Sequence, residues 1–299
     1  MLFEGYGASR PIQDVSGCRR SAFGFVQILK GIFVSAIADA MEAYQHAYFD
    51  AYVLHRDIST GNILITCEGK GLLIDWDLSI KLIDPKTGKK VSSARRPDRT
   101  GTWQFMSAAL LQDNEKYNEL EEDRESCLHV LTWTALRFTN HTISGGGTSR
   151  FLRAFDEEYE DEEGVKGGDL KRGFLATREI PRVVKFDRRP QLDALIEELT
   201  ETFAVRYEKP PSDEDFETLK DMKYNNAPPS YLYSNAAFKY QKHLNDLVAP
   251  SWLVDTFLAA LIGTGSSKKR AREQGKLEVR IPGTKSQRRS DGSGSRSGS

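Results

Sequence analysis

Asp57, Asn62 and Asp75 are the side chains whose types and spacing offer a reaction. All three carry oxygen ligands. Mg²⁺ prefers oxygen in octahedral geometry, with few protein carboxylates. Phosphoryl transfer from ATP needs such an ion on the nucleotide phosphates. It also needs a carboxylate within hydrogen-bond reach of the acceptor hydroxyl, to orient it and take its proton. Asp57 supplies that carboxylate, Asn62 a neutral oxygen ligand five residues later, and Asp75 a metal carboxylate further on. Catalysis of this kind rests on positioning and electrostatics.

The neighbouring elements must bring these groups together. Val34, Ile37, Met41, Tyr44 and Tyr48 step by three and four, one face of an amphipathic helix of about four turns. Tyr52-Val53-Leu54 follows as an apolar lead-in. Ile63-Leu64-Ile65 and Leu72-Leu73-Ile74 flank a Gly-containing turn and read as a β-hairpin. Folding back along it places Asp75 beside Asn62. Glu121 to Phe138 suits a buried helix, with Leu128, Leu131, Thr132, Ala135 and Phe138 on one face. Further helices fit Gln191 to Tyr207, Asp213 to Met222 and Tyr231 to Leu247. Thr142 to Ser149, with three glycines, and Asp156 to Glu163, with seven acids in eight residues, read as surface loops. The fold expected is mainly α with a small β-hairpin (α+β).

HRDISTGN (His55 to Asn62) and IDWD (Ile74 to Asp77) match the protein-kinase signature of His-Arg-Asp-aliphatic-x-x-x-Asn followed by Asp-aromatic-x. The wording resembles the fungal-type protein-kinase-like family, and also casein-kinase-like and aminoglycoside-kinase-like enzymes. The resemblance covers roughly residues 5 to 205. It implies a protein kinase-like C-terminal lobe, ATP and Mg as cofactors, and phosphoryl transfer to Ser/Thr hydroxyls of a protein substrate or partner. By the same resemblance Asp57 is the catalytic base, and Asn62 and Asp75 bind magnesium. Arg56 ties the catalytic loop (55–62) to an activation segment (75–109). Gly101-Thr102-x-x-Phe105-Met106 resembles the end of that segment, where Thr102 bonds the catalytic Asp. Asp123-x-x-Ser126 resembles the start of the central helix, where the Asp anchors the loop backbone. DEEGVKGGDLKRGFL looks like the family's sequence after that helix.

Several residues depart from that pattern. Ser59, at a cofactor-binding position, stands where Ser/Thr kinases carry a phosphate-contacting lysine. Asp77 replaces a glycine and is read as a turn cap or a second metal ligand. Ser107-Ala108-Ala109 replaces Ala-Pro-Glu, so the usual Glu–Arg pair is expected to be lost. Neither a GxGxxGxV strand nor Val-Ala-Ile-Lys precedes His55. Gly5-Tyr6-Gly7 is a lone GxG, and Lys30 is a weak stand-in for the missing lysine. The N-terminal β lobe is therefore expected to be absent or truncated. Three functions stay open: a fungal-type protein kinase, a non-catalytic pseudokinase or scaffold module, and a small-molecule kinase of the aminoglycoside type.

Composition bounds the rest. The 299 residues are 39% hydrophobic and 28% charged, with a net charge of -1. That excludes collagen-like and wholly disordered chains. The most apolar stretch, Gly24 to Ile37, is broken by Gln27 and Lys30 and is too short to cross a bilayer. Cys18, Cys67 and Cys127 form no CxxC, which suggests a reducing compartment. His46, His129, His141 and His243 lack zinc-site spacing, and His129, Cys127 and the tryptophans read as packing residues. Gly263 to Ser299 holds ten Lys/Arg against three Asp/Glu, so residues 1–262 carry -8. The domain expected is 1–262, with a disordered basic tail over 263–299. KKRAR (Lys268 to Arg272) reads either as a nuclear-import or weak nucleic-acid patch or as a solvated tail. The location expected is intracellular, cytoplasmic or nuclear, without a membrane.

Overall fold

A computed structural model of the chain describes residues 22–83, 86–89, 91 and 99–262, with backbone alone for 22–31. Gly5-Tyr6-Gly7, Cys18, the side chain of Lys30, and the tail with KKRAR lie outside the described residues. The long helix α1 (Ala22–Phe49) buries Phe33, Ile37, Met41 and Tyr44, with Val34 and Tyr48 packed at its margin. The expected face is therefore the one that packs. Tyr52, at φ 56°, turns the chain out of the helix into β1 (Val53–Leu54).

The expected hairpin forms from β2 (Ile63–Ile65) and β3 (Gly71–Leu73), paired Ile63↔Leu73, Leu64↔Leu72 and Ile65↔Gly71. Ile63, Ile65 and Leu73 point into the core, while Leu72 on the other face is exposed. This is the two-residue alternation of a half-buried ribbon. Gly71 lies against α1, where an added Cβ would fall 1.9 Å from the Ala36 carbonyl oxygen. Its N–H donates to Asp39 Oδ2 at 2.9 Å. β1 pairs antiparallel with β4 (Ile80–Lys81), so the stretch after the hairpin returns beside the residues that precede the 55–62 loop.

A single 3-10 turn (Trp103–Phe105) and α2 (Ala108–Gln112) lead to α3 (Leu120–Phe138). The predicted stripe on α3 is too narrow: from Glu122 to Leu136 every residue is buried. Helices packed against α3 include α1, α4 (Gly145–Arg153), α7 (Pro190–Ala204) and α10 (Ala236–Val248). A helix surrounded in this way cannot keep a polar face.

Three expected segments come out differently. Thr142 to Ser149 is no loop: α4 begins at Gly145, capped by Ser144 Oγ, which accepts from Gly147 N, and anchored by buried Phe151. The cap and the anchor offset the entropy cost of three glycines. Within the acidic run, β5 (Tyr159–Asp161) pairs with β6 (Gly164–Lys166) as an exposed hairpin, and Lys166 pairs with Asp161 and Glu163. The helix expected from Tyr231 to Leu247 is broken into α9 (Pro229–Leu232) and α10, because Asn235 caps α10 through Phe238 N. α5 (Asp169–Ala176), α6 (Glu179–Val183), α8 (Asp213–Tyr224) and α11 (Trp252–Ile262) complete the described elements. The mainly helical α+β class holds. Among the described residues no single helix is long and apolar enough to cross a membrane.

Candidate functional site

His55 opens the 55–62 loop from a fully buried position. Its Nε2 lies 3.1 Å from the Ile74 carbonyl oxygen, and the Asp57 N–H donates to its Nδ1 at 3.3 Å. That pairing fits the neutral ring protonated at Nε2. Burial holds its pKa below the ordinary histidine value. The ring meets Trp76 edge-on at 4.5 Å, so the two loops pack through an aromatic contact. Arg56 sits at φ 71°, an uncommon conformation for a residue with a Cβ. The backbone N–H groups of His55 and Arg56 donate to the Asp123 carboxylate at the start of α3. Burial raises the pKa of Asp123 to about 6, against the lowering effect of these bonds.

Asp57 is held at both carboxylate oxygens. Oδ1 accepts from the N–H and the Oγ1 hydroxyl of Thr102, each at 2.8 Å. Oδ2 accepts from Asn62 Nδ2 at 2.9 Å, and the same amide nitrogen donates to the Asp57 carbonyl at 2.9 Å. Gly101 makes the approach of Thr102 feasible. Its φ is +113°, and a Cβ there would lie 2.5 Å from the Arg56 carbonyl oxygen. Asp57, Asn62 and Thr102 are thus brought together across 45 residues of chain.

Asp75 is placed by the hairpin, with the N–H of Ile74 donating to the Asn62 carbonyl at 2.9 Å. Asp75 itself is exposed at φ 61°, and Asp77 is exposed too. The amide nitrogen of Asn62 is committed to Asp57, so its Oδ1 is the atom it can offer a cation. An amide oxygen and an exposed carboxylate suit Mg²⁺, a hard ion that keeps several waters. Arg56 Nη1 reaches the Leu78 carbonyl at 3.5 Å, a link between the loop and the segment after the hairpin. Ser59 is 3% exposed, and its carbonyl accepts the Asn62 N–H.

The profile described as fungal protein kinase matches residues 30–135. This segment is of the fungal protein kinase type. It runs from α1 through the 55–62 loop and the hairpin into α3. It contains Asp57, Asn62, Asp75, Thr102 and Asp123. No curated protein matches the chain significantly.

A charged cluster that sequence reading missed joins this segment to residues beyond it, Arg206 and Tyr207. Ala108, inside the Ser107-Ala108-Ala109 stretch, donates its N–H to Glu125 Oε1 at 2.8 Å. Glu125 is fully buried, pairs with Arg206, accepts from the Tyr207 hydroxyl and contacts His129 Nε2 at 3.3 Å. Burial alone would raise Glu125, but Arg206 and these bonds outweigh it and bring its pKa to about 2. Arg206 bonds Glu122 as well. Ser107-Ala108-Ala109 supplies no glutamate, as expected, and a separate buried pair, Glu125 with Arg206, lies beside it. The one sequence signal was a run of charges, Glu121 to Glu125, opening an otherwise apolar helix.

Proposed function

We propose that this chain works as a fungal-type Ser/Thr protein kinase, with the described helical body as its C-terminal lobe. Asp57 orients the acceptor hydroxyl and takes its proton as the oxygen bonds the γ-phosphorus and the bond to the ADP oxygen breaks. Thr102 and Asn62 fix the Asp57 carboxylate for that step. Asn62 Oδ1 and Asp75 would hold the magnesium of Mg-ATP, which would supply charge neutralisation on the phosphates. Arg56 keeps the loop and the segment in register. The partner is a protein bearing Ser or Thr, met in the cytoplasm or nucleus.

The observation that carries this reading is the double anchoring of Asp57, since a carboxylate held at both oxygens is one whose direction matters. Mg-ATP and a Ser/Thr peptide mixture, incubated with the full chain, should yield phosphopeptide. Asp57→Asn should cut the rate by about 10²–10⁴-fold, the usual worth of a general base. A transfer rate unchanged in Asp57→Asn or Asp75→Asn would reject the roles. One observation favours a second reading, a non-catalytic interaction module: buried Ser59 cannot stand in for a lysine on the γ-phosphate. That reading requires no transfer and no thermal shift with millimolar Mg-ATP. A formed site at [L] about 100 times Kd should stabilise by about 2.7 kcal/mol.

A further inference from the structure

Lys171, in the first turn of α5, lies outside the matched segment and is only 2% exposed. Its ammonium donates to the Met106 carbonyl at 2.9 Å and to the Trp103 carbonyl at 3.4 Å, and sits 5.8 Å from the Phe155 ring centroid. Among the described residues no carboxylate stands within ion-pair distance of it. Glu125, Glu157 and Asp156 act on it only at longer range. A small cavity of about 20 Å³ beside it, bounded by His129, Thr132, Phe155 and Phe174, holds at most a water. A buried ammonium is costly unless its hydrogen bonds are specific. Here they go to one place, the 3-10 turn Trp103–Phe105, at the carbonyls of its first residue, Trp103, and its C-cap, Met106.

The other end of that turn is Thr102, which donates twice to Asp57. Asp57 and Lys171 therefore hold the same short turn, one through Thr102 and the other through Trp103 and Met106. The neighbouring chain reinforces the grip. Trp103 Nε1 donates to the Glu157 carbonyl at 3.0 Å. Arg99 reaches the Val165 carbonyl at 2.5 Å and stacks 4.8 Å over the Trp103 ring. Gly167 is pressed so close that a Cβ would fall 2.3 Å from the Glu157 carbonyl oxygen and 3.0 Å from the Trp103 ring.

We propose that Lys171 is a positioning residue for Asp57, acting through the 102–106 turn, with residues 157–171 as the clamp that holds this turn in place. The consequence for phosphoryl transfer rests on the kinase reading; the mechanical coupling does not. Hydrogen exchange on the full chain separates the two. In Lys171→Met the amides of 102–106 should lose at least about tenfold in protection, while β2, β3 and α7 keep theirs. Phosphopeptide formation should fall in kcat by about 10²-fold, the scale of a misplaced catalytic group, with KM for ATP unchanged. Lys171→Gln, a neutral donor, should lie between the two. Unchanged protection at 102–106, protection lost evenly across the molecule, or failure of both variants to fold would overturn the proposal. Protection lost at 102–106 in a chain that never transfers phosphate would reject the kinase reading and uphold the coupling.

Discussion

Asp123 accepts the backbone N–H of Arg56 on both carboxylate oxygens, each at 3.1 Å, across 67 residues of chain. The same carboxylate takes the N–H of buried His55 at 3.0 Å. Asp123→Ala leaves two backbone donors without this acceptor and Arg56 without support for its left-handed conformation. Unfolding stability should drop by about 2–6 kcal/mol, since each of the two orphaned donors costs about 1–3. Asp123→Asn keeps an oxygen acceptor and should lose less. Equal denaturant midpoints for Asp123→Ala and wild type would contradict this account.

Gly101 should tolerate no side chain. A Cβ would meet the Arg56 carbonyl oxygen at 2.5 Å, and φ +113° is outside the range of other residues. Gly101→Ala should cost about 1–3 kcal/mol in thermal or denaturant unfolding. It should also separate Thr102 from Asp57, so that phosphopeptide yield falls further than stability does. A Gly101→Ala chain with full phosphotransfer would show that the Thr102 contact is dispensable.

Stability should rise with pH between about 7 and 9. Burial lowers the pKa of Lys171 from 10.5 to about 7. Between those values the unfolded chain holds a proton that the folded chain has released, and stability then climbs with pH. The limiting slope for one group is about 1.4 kcal/mol per pH unit. The charged or titratable groups facing Lys171 are Glu125 and His129 from α3 and Asp156 and Glu157 before β5. Burial keeps His129 below its ordinary value, and Tyr44 and Tyr207 are pushed well above theirs. The neutral amine still carries two N–H donors, so the hold on Met106 survives deprotonation. Urea midpoints measured at pH 7, 8 and 9 should increase in the wild type and flatten in Lys171→Met.

Arg206 should matter more than a surface arginine. It meets buried Glu122 and Glu125, and Arg206→Met would leave both without it. Breaking one side of a buried pair costs about 3–5 kcal/mol. The folded pKa of Glu125, about 2, lies below its ordinary 4.5, so its contribution is full above 4.5 and is lost as pH falls toward 2. Acid unfolding should accordingly begin at a higher pH in Arg206→Met. Superimposable acid transitions would dismiss the pair as a stabilising element.

Cysteine accessibility offers a simple check on α3. Cys67 is exposed, whereas Cys127 is fully buried and its thiol pKa is raised by burial. Iodoacetamide on the native chain should label Cys67 and spare Cys127 until denaturant is added, as read by peptide mass. Rapid native labelling of Cys127 would contradict the burial of α3.

The residues that contact the loop were legible because their order is short-range or motif-like. His55 to Asn62 and the β2–β3 hairpin are set by local turn chemistry and alternation, and Thr102 and Asp123 by the motifs around them. The Glu125–Arg206 pair was not legible because it is non-local: it exists only once α3 and the stretch after α7 meet. Lys171 escaped notice because a lysine in a polar helix looks like surface, and no spacing rule reports that two carbonyls await it. Gly145 to Gly147 misled because glycine counts against a helix, while the Ser144 cap and Phe151 anchor act over a few residues and outweigh that penalty. No sequence rule set the side chain of Asp75, and the hairpin fixes only its backbone.

Arg124 spends its buried guanidinium on the carbonyls of Leu247, Ala249 and Pro250, at 2.6 to 3.0 Å. Those acceptors lie more than 120 residues downstream of Arg124, itself on the helix that carries Asp123. In a nascent chain that has emerged only as far as α8 those carbonyls are absent, and water takes their place on Arg124. The helix that carries Asp123 therefore gains this tie only once residues 247–250 have emerged, so ribosome-bound chains of successive length should gain further protease resistance around His55 at that point.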